Sequence, residues 1–154
     1  MSRVIAICSS VHRQEAKKPL PEGFFCVAGG LEGDSHFGME PRQVSMLRAE
    51  DIAEAGKQAG FVFPPGALAE NLVVEGLPAE LPLGLRLAFG PEAVLEVVEK
   101  GKRPDEPHSY AYRGWCLLPS KGYFLRVVSD GSVKSGDRVS FVNGTADSGS
   151  EISS

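Results

Sequence analysis

Short apolar runs separated by glycine and proline are the dominant pattern of this chain. Eighteen glycines and eleven prolines interrupt them, which is typical of an all-β sandwich or barrel. The pattern predicts seven strands, at residues 3–8, 42–47, 71–75, 86–89, 94–99, 123–129 and 138–142. Residues 93–99 are almost continuously apolar and rich in valine, as expected of a strand that is covered on both sides.

One segment, residues 48–59, has the pattern of an amphipathic helix. Acidic residues in its first turn, Glu50 and Asp51, and Lys57 in its last turn suit the helix dipole. Gly60 is placed to end the helix. The inner face has approximately the i, i+3, i+4 spacing of a packed helix, and it consists of Ile52, Ala55 and Ala59.

Two turns are predicted near the end of the chain. Asp130-Gly131 comes directly after the sixth predicted strand and indicates a tight turn in which Gly131 takes a positive φ. Residues 135–137 then turn the chain into its last strand. After Asn143 the sequence is polar, so we expect one domain over residues 1–143 and a mobile tail over residues 144–154.

Length, charge and cysteine content narrow the class of protein. A chain of 154 residues fits one globular domain. A net charge of −4 argues against a nucleic-acid binder, because neutralising phosphates requires an excess of lysine and arginine. No apolar run is long enough to cross a bilayer. Three scattered cysteines (Cys8, Cys26 and Cys116) fit neither a disulfide framework nor a Cys-x-x-Cys metal site, so the cytoplasm is the expected location.

The densest group of candidate site residues lies within residues 29–45. Its glycines, Gly33 among them, are expected to let backbone N–H groups form an anion-binding concavity. Asp34 and His36 are two positions apart, and on an extended chain they would share one side and could bind a metal or orient a ligand. Arg42 could clamp a carboxylate or phosphate with two hydrogen bonds. The alternative is a glycine-rich turn in which Asp34 caps backbone N–H groups.

Three further segments contain polar residues that could face a ligand. Glu70 and Asn71 precede an apolar strand, where they either line a barrel mouth or simply form a turn. The charged segment 101–110 is either a ligand-facing loop or a solvated connection. Cys116 is either a small buried apolar residue or a reactive thiol whose pKa is lowered by nearby cations, Arg113 and Lys121.

Six pieces of the sequence, which together extend over most of the chain, resemble a known family by their order and spacing. They are GLEGDSH (30–36), RQVSML (42–47), PG with ENL (65–66 and 70–72), LGLRL (83–87), GYFLRV (122–127) and GSVKSGDRV (131–139). No single piece is decisive, but the ordered set resembles the stand-alone MOSC domain family. The MOSC domain is the C-terminal module of molybdenum-cofactor sulfurases.

This resemblance implies a mainly β fold, a MOSC-type β-barrel of about seven or more strands with one or more short helices. It implies binding of the molybdenum cofactor (molybdopterin) or a related anionic ligand, in sulfur transfer or in the reduction of N-hydroxylated compounds. A sulfurase or reductase protein would be the partner, and pyridoxal phosphate would enter only through such a partner domain. Residues at the barrel mouth would be His36, Arg42, Glu70 and Asn71, and the wider set of cofactor-binding candidates adds Gly33, Asp34, Asp105 and Lys121.

One position departs from the family pattern. The family usually has Pro-Cys after the long inner strand, and that thiol is its proposed sulfur carrier or molybdenum ligand; here the pair is Pro104-Asp105. A carboxylate cannot hold a persulfide and is a harder ligand than a thiolate. Cys116, at a position where many stand-alone members have a cysteine, is therefore the candidate catalytic residue.

Two alternatives to a catalytic cofactor-binding protein follow from the same residues. One is a non-catalytic module that binds a pterin or another anion and has lost the usual cysteine. The other is a metal-dependent hydrolase, in which two carboxylates and one imidazole would hold a divalent ion that activates water: Asp34, Glu70 and His36.

Overall fold

A closed ring of strands is the central feature of the structure. A computed structural model describes residues 1–13, 15–39, 42–101, 111–142 and 152–153. Its elements are β1 (Ser2–Ser9), β2 (Lys18–Leu20), β3 (Glu22–Cys26), β4 (Gly30–Leu31), β5 (Val44–Arg48), α1 (Ala49–Ala59), β6 (Leu72–Glu75), β7 (Arg86–Phe89), β8 (Ala93–Lys100), α2 (Leu118–Lys121), β9 (Tyr123–Ser129), β10 (Gly131–Lys134), β11 (Arg138–Val142) and β12 (Ile152–Ser153). Seven of these described strands form a ring in the order β1, β6, β5, β9, β8, β7 and β11.

The ring closes because β11 pairs with β1, where Ser2 lies opposite Val139. This confirms the predicted mainly β fold and the barrel. Neighbouring strands of the ring are antiparallel except for β5 and β6, which are parallel. Parallel neighbours need a crossover connection, which here contains α1. As a result, β5 and β6 begin at the end of the barrel where β1 finishes.

The barrel is filled by the inward-facing residues of its strands. Along β8, Ala93, Leu95 and Val97 are buried and alternate with residues that are partly exposed. A separate three-stranded sheet, in the order β10, β3 and β4, contributes Phe25 and other apolar residues to the same core. Removal of this apolar surface from water, at about 25 cal/mol per Å², is the main term that stabilises the barrel.

A second apolar cluster covers the outside of the barrel. The predicted inner face of α1 is confirmed, since Ala55 is buried and Ile52 and Ala59 pack against the cluster. The helix ends as predicted at Gly60, whose φ of 83° is left-handed. The buried members of this outer cluster are Leu47, Ala55, Phe63, Leu68, Ala69, Leu117, Leu118 and Phe124.

All seven predicted strands and the predicted helix are present, with ends that differ by at most two residues. The pattern misses the short elements β2, β3, β4, α2, β10 and β12. The expectation of a positive φ at Gly131 is wrong, because Gly131 begins strand β10. Of the two predicted turns, the second contains the glycine with a left-handed φ, Gly136 at 94°. Gly131 is needed for a different reason: a Cβ there would lie 2.5 Å from the backbone nitrogen of Ala93.

Two remaining expectations concern the membrane and the tail. Within the described ranges, no helix is long and apolar enough to cross a membrane. Of the predicted mobile tail, only Ile152–Ser153 belongs to the described residues, and it pairs with β11.

Candidate functional site

A buried ion pair lies at the end of β1. The Nζ atom of Lys17 is 2.8 Å from Oδ1 of Asp34, and the two side chains are 2% and 0% exposed. Lys17 also donates to Oγ of Ser10 at 3.1 Å, and the backbone N–H of Ser10 donates to Asp34 Oδ1 at 3.1 Å. The two opposite charges are enclosed together, and each satisfies the other.

His36 contacts the same carboxylate from a more exposed position. Its backbone N–H donates to Asp34 Oδ2 at 3.0 Å, its ring Nδ1 lies 3.6 Å from that oxygen, and its side chain is 34% exposed. Burial by itself would raise the pKa of Asp34, but hydrogen bonds from His36 and Lys17 outweigh burial and hold that pKa well below its usual range. Asp34 is therefore an internal anion, and His36 is the member of this pair that a ligand can reach.

The glycine-rich segment around these residues is folded into turns, not extended. The backbone N–H groups of residues 34–39 all donate to acceptors inside the protein. The structure therefore does not support an anion-binding concavity made from these N–H groups, and Asp34 caps backbone N–H groups as the alternative interpretation expects. Gly33 has a φ of 85°, which explains a glycine at that position without a ligand.

Glu70 is buried and fastens the loop before β6. It is 1% exposed, and its two carboxylate oxygens accept from the backbone N–H groups of Gly66 at 2.8 Å and Leu68 at 3.1 Å. Burial raises the pKa of Glu70 to about 7, against the lowering effect of these N–H groups and of Lys17. Gly66 is required here, because its φ is 85° and a Cβ would lie 2.1 Å from the carbonyl oxygen of Lys17.

Asn71 joins three strands with one amide group. Its Oδ1 accepts from the backbone N–H of Ser45 on β5 at 3.0 Å, and its Nδ2 donates to the carbonyl oxygen of Cys8 on β1 at 3.0 Å. Asn71 stands directly before β6, which lies between those two strands. The side chain thus extends the sheet where its regular ladder ends, and its hydrogen-bonding groups are used inside the protein.

Arg42 lies near the start of β5 and is partly exposed. Its Nε donates to Oε1 of Glu99 on β8, and the two side chains are 22% and 27% exposed. Its guanidinium also lies over the ring of Phe124, 5.2 Å from the centroid. Phe124 is paired with Ser45 on one side and with Glu99 on the other, so Arg42 rests on the outer face of the β5–β9–β8 sheet.

The remaining predicted site residues are spread over the neighbouring segments. Cys116 is partly buried. Of its two neighbours in the chain, Leu117 belongs to the outer cluster that contains Phe124, and Trp115 packs against that cluster. Arg113, expected near that thiol, lies over the ring of Phe61 at 4.2 Å. Lys121 is exposed at the end of α2. Asp105 lies outside the described residues.

The sequence matches the MOSC domain over residues 32–140. The chain belongs to the MOSC family. No curated protein matches the sequence.

Solved structures share the MOSC fold of this chain at low sequence identity. The YuaD protein from Bacillus subtilis has a TM-score of 0.69 at 23% identity, covering 90% of this chain and 94% of that chain. YiiM from Geobacillus stearothermophilus has a TM-score of 0.70 at 18% identity, covering 97% and 80%. YiiM from Escherichia coli has a TM-score of 0.58 at 20% identity, covering 94% and 72%. At such identities the likeness concerns the fold alone.

In this MOSC domain the predicted residues separate into two groups. Asp34, Glu70 and Asn71 are internal and position the backbone, whereas His36 and Arg42 are the partly exposed groups. The arrangement does not form the metal site of a hydrolase, since the described residues contain no group of three or more histidine, cysteine or carboxylate side chains that could hold a metal ion. What the arrangement offers chemically is an imidazole and a guanidinium on a rigid support.

Sequence reasoning misses several residues of this site, of which Lys17 is the most important. Lys17 is 3% exposed, but the adjacent Lys18 is exposed, and nothing local distinguishes one from the other. Glu99 and Phe124 are also missed as partners of Arg42, because both are distant in the sequence. Glu99 is 57 positions from Arg42, and Phe124 lies farther still along the chain. A predicted strand pairing of β8 with β9 is the signal that would have brought Glu99 and Phe124 together.

Removing one member of the buried pair should be more damaging than removing both. Asp34→Asn leaves the Lys17 ammonium buried without a counter-charge, and we expect it to lower the free energy of unfolding by about 3–5 kcal/mol. Lys17→Met combined with Asp34→Leu removes both charges and should recover much of that loss. Urea denaturation of the single and double variants measures both effects. A double variant less stable than Asp34→Asn would contradict this account of the pair.

Glu70 should make the protein less stable as the pH rises. Its folded-state pKa is raised from 4.5 to about 7, so between these values the folded protein holds a proton that the unfolded chain has released. The free energy of unfolding therefore falls with pH in this window, by at most about 1.4 kcal/mol per pH unit, and becomes level above it. Glu70→Gln should lack this slope in urea denaturation at pH 5 to 8.

The exposed Glu75 at the end of β6 gives a matched control for the titration of Glu70. Glu75→Gln should retain the slope of the unaltered protein, and the histidines are present in all three proteins. Equal slopes in the Glu70→Gln and Glu75→Gln variants would show that Glu70 does not titrate in this window.

Proposed function

We propose that this MOSC domain binds the molybdenum cofactor, or a related anionic pterin ligand, through Arg42 and His36. The observation that carries the proposal is the position of Arg42, whose partly exposed guanidinium rests on Phe124 above a rigid sheet. A planar guanidinium is the side chain best suited to a phosphate or carboxylate, because it can donate two parallel hydrogen bonds. His36 adds a group that can donate or accept a proton.

The chemistry of the described residues fits the anionic part of such a ligand better than its metal. A phosphate is suited to Arg42, but a molybdenum ion would favour a soft thiolate ligand. Cys8 cannot be that ligand, because it is fully buried and burial raises the pKa of its thiol to about 12. Cys26 belongs to the small sheet and donates to Glu32 at 3.4 Å. Cys116 is partly exposed, as Cys26 is, but it lies beside the outer cluster that contains Phe124, the ring beneath Arg42.

Two forms of the proposal differ in whether the chain carries chemistry of its own. In the catalytic form, the bound cofactor would supply molybdenum-centred sulfur or redox chemistry, and Cys116 would carry the transferred sulfur or contact the metal. A sulfurase or reductase would then be the protein partner, and any pyridoxal phosphate would belong to that partner. In the second form, the chain is a binding module that holds the pterin phosphate without a reacting thiol. The Asp105 position, which lacks the family's usual cysteine, favours this second form.

Retention of cofactor should depend on Arg42. In protein purified from a host supplied with molybdate, we expect metal analysis by mass spectrometry to find molybdenum, and pterin fluorescence after oxidation to find the pterin. Arg42→Ala removes the guanidinium that would bind the phosphate, so both signals should fall by at least about tenfold, the scale of one charge-assisted hydrogen bond.

Arg138→Ala is the matched control, since Arg138 is an exposed arginine on β11 opposite Arg3. This control should retain both signals. Absence of molybdenum and pterin from every preparation, or equal retention by the Arg42→Ala variant, would refute binding through the proposed residues.

In the catalytic form of the proposal, Cys116 should accept sulfur. After incubation with inorganic polysulfide, intact-protein mass spectrometry should show one added sulfur atom on the unaltered chain, and Cys116→Ser should abolish the addition. Cys26→Ser, which removes a thiol of the small sheet, is the control and should still be loaded. Loading that is unaffected by Cys116→Ser would leave only the non-catalytic form.

A further inference from the structure

The charges at the proposed site are already balanced within the protein. Of its two fixed cations, Lys17 is paired with Asp34 and Arg42 is paired with Glu99. Glu70 lies near Lys17, because it holds the backbone N–H of Gly66, whose carbonyl oxygen accepts from the backbone N–H of Lys17. An anionic ligand therefore meets no unneutralised positive charge from these residues, and it must compete with a carboxylate that the protein itself supplies.

The two ion pairs differ in whether a ligand can reach them. The Lys17–Asp34 side chains are almost completely enclosed, whereas Arg42 and Glu99 are 22% and 27% exposed. Glu99 can turn toward solvent at little cost, since a partly exposed ion pair contributes only about 1 kcal/mol or less. Arg42 would meanwhile stay oriented by the ring of Phe124 beneath it.

From this arrangement we propose that Glu99 is a built-in competitor for Arg42, which restricts the site to ligands that carry a phosphate dianion. The inference rests on the proposed function, because it concerns ligands that bind at Arg42. It names the ligand class that the site accepts, a phosphate monoester, and a class that it rejects, singly charged carboxylates.

The expected selectivity follows because a ligand that binds Arg42 must first displace the Glu99 carboxylate. A carboxylate ligand would replace the Glu99 carboxylate by a chemically equal group, while the tethered Glu99 acts at an effective concentration on the order of millimolar or higher. A carboxylate ligand therefore gains almost no binding free energy over the Arg42–Glu99 pair that it replaces. A phosphate monoester has close to two negative charges near neutral pH and three acceptor oxygens, so its attraction to the guanidinium exceeds that of the carboxylate it displaces.

Glu96, on the same strand, provides a comparison within the structure. Its Oε1 lies 2.8 Å from Arg126 and 3.4 Å from Arg86, so one carboxylate is shared by two arginines. Arg42 is not a member of either of these ion pairs. Neutralising Glu96 therefore changes the total charge by the same amount as neutralising Glu99, but leaves the pair at Arg42 intact.

The test measures binding of phenyl phosphate and benzoate, two probes with the same ring, by calorimetric titration. The unaltered protein should bind phenyl phosphate more tightly than benzoate. Glu99→Gln should strengthen the binding of both probes by a similar factor, up to about fivefold, because it removes the same competitor from each. Glu96→Gln should leave both affinities unchanged, and Arg42→Ala should lose phenyl phosphate.

A second variant protects the test against a folding defect in Glu99→Gln. Glu99→Asp keeps the charge but draws the carboxylate back from Arg42, so it should change affinity in the same direction by a smaller factor. If the unaltered protein binds phenyl phosphate through Arg42 and neither Glu99 variant binds benzoate more tightly, the competitor role of Glu99 is wrong while the proposed function stands. If none of the proteins binds either probe and none retains pterin, the proposed function fails and this inference fails with it.

Discussion

The buried pair of Lys17 and Asp34 is the constraint around which this end of the barrel is arranged. Neither charge could remain enclosed without the other, since an isolated ion in the protein interior is strongly destabilising. Three segments are held by this pair. Asp34 accepts from the N–H groups of Ser10 and His36, and the backbone N–H of Lys17 donates to the carbonyl oxygen of Gly66 at 2.8 Å. The segment that contains Lys17 thus holds Gly66, whose N–H group donates to Glu70.

Because the interior of the site is rigid, most of the predicted site residues support the backbone and few are partly exposed. Asp34, Glu70 and Asn71 use their polar atoms on backbone groups of other segments, and the described chain has no buried side-chain nitrogen or oxygen without a partner. Such satisfaction of polar groups prevents the loops from relaxing when a ligand arrives. The buried residues position the backbone, and in the proposed function the partly exposed His36 and Arg42 contact the ligand. In this MOSC domain, the polar side chains of Asp34, Glu70 and Asn71 at predicted site positions support the backbone.

The sequence pattern predicts the strands of the barrel well, because its signals are local. Apolar runs such as residues 93–99 have the periodicity of strands regardless of their partners, and Gly60 marks the end of α1. The pattern fails where pairing between distant segments creates the structure, as for the two-residue strand β4 and for β10, which contains Ser132 and Lys134 at its outer positions. The candidate site shows the same division. His36 and Arg42 belong to recognisable motifs, whereas the burial of Lys17 and the partnership of Arg42 with Glu99 depend on residues far apart in the chain.

The closure of the ring between β1 and β11 has a consequence for how the chain folds. Ser2 must find Val139 across nearly the whole sequence, so closure contributes contacts of very high sequence separation, and such contacts slow folding. Until they form, β1 and β11 each present an unpaired edge, and exposed strand edges are the usual starting points of association between chains. Newly synthesised chains of this protein therefore pass through a period in which aggregation competes with closure. That period ends when the last strand of the ring is in place.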